Sequence, residues 1–144
     1  MLDIGDELPP ISLDLSSEFV AGYAREIGMD WGRFTNHEEA RAQGLPGQIA
    51  PGNLSLSLIT RCLLAWSPGA RVLRLGTTFR GVVVADQTVV VRGNVVERHE
   101  RGSGTTLECD VWIESAEGDR LVVGTATIAT ATTEGAERKE RTQR

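Results

Sequence analysis

The chain has 144 residues, 40% hydrophobic and 24% charged, with a net charge of -5. That length suits one domain with a real core, and the balance is that of a soluble globular protein. The acidic balance argues against a nucleic-acid partner, no apolar run approaches a membrane span, and the N-terminus lacks the layout of a signal peptide. A cytoplasmic protein with no membrane or nucleic-acid association is therefore expected. Cys62 and Cys109 sit far apart in apolar patterns, which suggests two buried free thiols rather than a disulfide. The two histidines and two cysteines show no metal-ligand spacing, so neither a metal nor another cofactor is expected.

Pro9-Pro10 breaks any early helix, and Ile11, Leu13 and Leu15 then alternate as a short strand. Ser16-Ser17 followed by Glu18 predicts a helix start, with Phe19, Val20, Tyr23 and Ile27 on one face and a stop at Gly28. Residues 29–52 form an irregular segment holding one small helix from His37 to Gln43, capped by Asn36 and ended by Gly44. A longer helix follows from about Asn53 to Trp66, in which Arg61 is the only charge. A helix with no charged face has to be wrapped by other structure. The loop before it, ending Pro51-Gly52-Asn53, leaves the first helical N–H groups unpaired, and such donors suit an anionic or developing negative oxygen. Ser55, Ser57 and Thr60 fit polar residues bonding back to helix carbonyls.

From Ala70 the periodicity changes to alternation. Leu73, Leu75, Thr77 and Phe79 are expected inward on a first strand, and Thr88 to Glu97 forms a second with a bend at Gly93. Leu107, Cys109, Val111 and Ile113 define a third, and Leu121 to about Thr130 a fourth after the Glu117-Gly118-Asp119 turn. His99, among charged neighbours, reads as a solvated strand-end residue. Residues 133–144 read as a disordered charged tail behind a single domain of residues 1–132. An antiparallel sheet wrapped around the buried helix satisfies all these faces at once, an α+β hot-dog arrangement. The outer face or edge of such a sheet usually meets a second copy, so a dimer is expected, with Trp112 a candidate contact.

Two stretches carry a family resemblance. Ala40-Arg41-Ala42-Gln43-Gly44-Leu45-Pro46-Gly47-Gln48-Ile49-Ala50-Pro51-Gly52 leads into the buried helix, and Phe79-Arg80 is followed by Val84-Ala85-Asp86-Gln87-Thr88-Val89. Together they resemble the MaoC-like dehydratases and (R)-specific enoyl-CoA hydratases, over about residues 17–130. That resemblance implies hot-dog subunits that hydrate or dehydrate acyl thioesters, using an Asp and a His five residues apart in a D-x-N-P-x-H motif. The reaction needs a base, an acid and donors for the thioester oxygen. The resemblance assigns the last role to the backbone N–H of Gly52.

The motif itself departs. Five residues after Asp30 stands Thr35, and five before His37 stands Gly32; Asp30 and His37 pair only if the loop bulges by two residues. Counting back from Gly52 places the family's pair at Met29 and Phe34. On the enzymatic reading Asp30 and His37 form the acid/base pair, Thr35 and Asn36 orient water, and Pro51 and Asn53 line the substrate. The plainer reading makes Asp30 a turn residue and His37 an exposed first-turn residue. Two further roles follow from the departure: a degenerate partner subunit forming part of an acyl tunnel beside a dyad-bearing companion, or a non-catalytic acyl-thioester binding module. In each case the expected partners are an acyl thioester, on CoA or a carrier protein, and a second hot-dog subunit, identical or related.

Overall fold

The structure is a computed structural model and describes residues 2–102 and 104–131; the expected tail lies outside them. The chain begins with strand β1 (Glu7–Leu15) and helix α1 (Ser17–Glu26), followed by short helices α2 (Gly32–Thr35) and α3 (His37–Ala42). Helix α4 (Gly52–Trp66) then leads into β2 (Arg71–Phe79), β3 (Gln87–Arg101), β4 (Gly104–Ser115) and β5 (Arg120–Ala129). The five strands form one antiparallel sheet in the order β1-β3-β4-β5-β2. Among the described residues no helix is long and apolar enough to cross a membrane.

The caps act as their chemistry requires. The Ser16 hydroxyl accepts from Phe19 N at 3.0 Å at the start of α1, and Asn36 Oδ1 accepts from Glu39 N at 3.0 Å at the start of α3. Gly28 and Gly44 end their helical segments at φ 74° and 87°, a conformation that favours glycine. Helix α2 lies within the segment read as irregular, since four residues are too few for a periodic pattern; Phe34 is its buried anchor.

Leu54, Leu58, Ile59, Cys62 and Leu63 of α4 are buried together with Val89, Val91 and Val95 of β3. Leu107, Cys109, Val111 and Ile113 of β4, with Val122, Ala126 and Ile128 of β5, complete the same core. The sheet thus wraps the helix as its composition demands, but not on every side. Leu64 is 41% exposed, and Leu56, Ser57, Thr60, Arg61 and Leu64 line a groove of about 480 Å³.

Two expectations need correction, and at a third position the strand face is as expected but the side chain is more covered. β1 is longer than Ile11–Leu15 and runs through Pro9-Pro10; its register with β3 shifts between Leu8 and Ile11, where the prolines lie. Gly93 stands opposite Leu8 at that irregularity, and a Cβ there would lie 2.8 Å from Asp110 O and 2.9 Å from the Leu8 side chain. On β2, the register with β5 shifts between Val72 and Arg74, which leaves Leu73 52% exposed instead of inward. Trp112 does face away from the core but is only 8% exposed, because the Arg120 guanidinium lies 4.0 Å over its ring and its Nε1 donates to Glu114 at 2.8 Å.

Candidate functional site at the entrance to the buried helix

The loop leading into α4 is held as a strand-like run. Ala85 N donates to Gln48 O and Ala50 N to Val83 O, both at 2.8 Å, around an antiparallel bridge between Ile49 and Val84. Ile49 N donates to Arg33 O at 2.9 Å, fixing the same run to α2. At its far end Pro51 takes the cap position of α4 with φ -61° and ψ 148°, and no side chain caps the helix. Gly52 and Asn53 are exposed there, and among the described residues their N–H groups have no acceptor. Phe79 lies against this end: a Cβ on Gly52 would sit 3.0 Å from its ring. The Gly52 end therefore keeps the unpaired donors that its sequence suggests.

The other end of the run carries a polar network. Gln48 is fully buried, and its Nε2 donates to Ser17 O at 3.0 Å and Phe34 O at 2.8 Å, while its Oε1 accepts from the Ser17 hydroxyl. A buried amide must satisfy both its oxygen and its nitrogen, and here α1 and α2 supply the partners. Gln48 N donates to His37 Nδ1 at 3.0 Å, and His37 Nε2 lies 2.8 Å from Asp86 Oδ2. Because Nδ1 accepts, the neutral ring carries its proton on Nε2 and donates it to Asp86. Asp86 Oδ1 in turn accepts from Ser17 N at 2.8 Å, and Asp86 N donates to Leu15 O at 2.6 Å. The Ser17 N–H first, and then the His37 hydrogen bond, hold the Asp86 carboxyl below its usual range.

The expected acid/base pair is not assembled. Asp30 and His37 form no hydrogen bond or ion pair, and Asp30 is exposed with no side-chain partner among the described residues. His37 is half-buried rather than free, turned toward Asp86 because α3 packs its first turn against the Gly47-Gln48 backbone. Its two ring nitrogens are both engaged. The bridge also runs antiparallel, so Asp86 and His37 lie at the end away from Gly52; Gln48 and Gly52 stand four positions apart along a near-extended run, on the order of 10 Å. The Thr35 hydroxyl donates to Trp31 O at 3.3 Å, and Asn36 is occupied as the α3 cap. The positions counted back from Gly52 hold a half-buried Met29 and a buried Phe34, neither of which can move a proton.

Sequence reasoning missed Asp86, Gln48 and Ser17 in this network. Asp86 and Gln48 each had a signal, their places in the Val84–Val89 and Ala40–Gly52 stretches; at Asp86 a φ of 63°, rare outside glycine and tolerated by Asp, marks a position fixed by its contacts.

No family model matches the chain, and no curated protein matches it. Solved structures do. The (R)-hydratase PhaJ1 from Pseudomonas aeruginosa is 19% identical at a TM-score of 0.79, covering 88% of this chain and 81% of that one. A MaoC-like dehydratase from Rhodospirillum rubrum is 15% identical at a TM-score of 0.78, covering 90% and 92%. The chain has the hot-dog fold of these structures. One chain of the ChsH1-ChsH2 complex from Mycobacterium tuberculosis is 20% identical at a TM-score of 0.78, covering 90% of this chain and 99% of that one. At these identities the likeness to MaoC-like proteins establishes the fold alone.

Proposed function

We propose that the chain is an acid/base-deficient hot-dog subunit of a hydratase or dehydratase acting on 2-enoyl or 3-hydroxyacyl thioesters. It pairs with a related subunit that carries the Asp/His dyad. The observation that carries this reading is the occupied imidazole: His37 accepts from Gln48 N–H and donates to Asp86, leaving no lone pair for a substrate proton. In this reading the Gly52 and Asn53 N–H groups receive the thioester oxygen, where donors matter most as enolate charge builds. The uncovered Leu56 and Leu64 band of α4 meets the partner or the acyl chain. A structural neighbour described as a two-protein complex is in keeping with such pairing.

The purified chain alone is expected to hydrate no enoyl-CoA, and co-expression with a dyad-bearing hot-dog homologue to restore activity. Strong turnover by the lone chain would sink this assignment. A second reading rests on the same 2.8 Å pair, with His37 and Asp86 as the working acid and base and Asp30 outside the chemistry. It requires His37→Ala to lower the turnover of the lone chain by about 10² to 10⁴ while the fold survives.

A further inference from the structure

The hairpin of β3 and β4 carries a second cluster, on the sheet face away from α4. Val95 pairs with Cys109 and Glu97 with Glu108, so Val96 is an extra residue, 41% exposed, between two regular pairs. This bulge changes the phase of the strand. Without it Glu97 would stand opposite the buried Leu107; with it, Glu97 and His99 share the outer face with Glu108. Two carboxylates are thereby set directly across from each other, an arrangement that repels unless a cation lies between. No Lys or Arg among the described residues forms an ion pair with either. The neighbouring Arg98 bonds to Asp3 and Glu100 instead. His99 Nε2 lies 3.1 Å from Glu97 Oε2 and 3.9 Å from Glu108 Oε2, so a neutral ring satisfies one carboxylate and leaves the other.

We propose that Glu97, His99 and Glu108 form a surface site for a zinc-class divalent cation. Among the described residues this is the only group of three His, Cys, Asp or Glu side chains whose ligand atoms all lie within 4.8 Å of one another. Bonds of about 2.0–2.1 Å at tetrahedral angles put ligand atoms roughly 3.4 Å apart. The 3.1 and 3.9 Å separations bracket that value, so small side-chain rotations complete the set. One imidazole and two carboxylates suit Zn²⁺ and its neighbours in the transition series, whereas Ca²⁺ and Mg²⁺ favour all-oxygen shells and gain little from the imidazole nitrogen. The fourth position faces solvent, open to water or to a donor from another molecule. The site lies apart from the Gly52 entrance and does not depend on the function proposed above.

The test is calorimetric titration of the full chain with zinc after chelator treatment. One saturable equivalent is expected, weakened at least about tenfold in His99→Ala and in Glu108→Gln, unchanged in His37→Ala, and not displaced by a tenfold excess of Ca²⁺ or Mg²⁺. His99 is exposed and Glu108 half-exposed, and circular dichroism checks that both site variants fold. No saturable binding by the parent chain, or equal affinity in the folded His99→Ala variant, overturns the site. So does loss of binding in His37→Ala, which would move the metal to the other histidine.

Discussion

Asp86 joins three segments through one residue: its carboxylate holds Ser17 N at the start of α1 and His37 on α3, while its N–H holds Leu15 O at the end of β1. Its folded pKa lies below the unfolded value of about 3.9, so its contribution to stability is present above about pH 4. That contribution is lost as pH falls through the lower folded value. Asp86→Asn is therefore expected to be less stable at pH 7 and to lose less stability on acidification. Urea midpoints at pH 7, 5 and 3 measure this; parallel curves for the two proteins would refute it. Asn keeps tolerance of the positive φ, so the comparison isolates the charge. Little of this was legible in the sequence. His37 and Asp86 are separated by 49 residues and Ser17 and Asp86 by 69, and no local pattern encodes a pairing made only when sheet and loop meet. The donor end was legible because a helix start is a local feature: Pro51-Gly52-Asn53 announces it within three residues.

Among the elements, α4 is divided between a face the sheet covers and one it does not. Ile59 is fully buried, so Ile59→Ala is expected to cost about 2–5 kcal/mol. Leu64 is 41% exposed, and Leu64→Ala costs the isolated chain about 1 kcal/mol or less. Chemical denaturation separates the two; a Leu64 cost equal to that of Ile59 would mean that the face is covered in solution. The sequence shows that this helix is apolar, because periodicity is local, but not how far one subunit covers it. The strand faces follow the same logic. Leu107, Cys109, Val111 and Ile113 are inward as alternation requires, whereas Leu73 is turned out by a register shift that alternation cannot express.

For the whole molecule, the two thiols report on the integrity of the core. Burial raises both, Cys109 to about 11 with Asp110 adding to the effect, while Arg61 partly offsets the rise at Cys62. A thiol whose pKa is raised on folding adds stability in full below the unfolded value of about 8.5. Stability is then expected to fall as pH climbs from there toward about 11. Iodoacetamide at pH 8 should label neither cysteine until the chain is denatured; rapid labelling of the native protein would contradict the packing. The buried amide of Gln48 has a bearing on how this molecule assembles. Its partners, Ser17 and Phe34, precede it by 31 and 14 residues, and the adjoining His37 needs Asp86 from beyond β2. Bringing such distant groups together carries the loop-closure entropy of the whole intervening chain, returned only when helix and sheet are already joined. The loop leading into α4 is thus expected to be among the last parts to close during folding and among the first to open, so that weakening it should hasten unfolding while leaving the speed of refolding almost untouched.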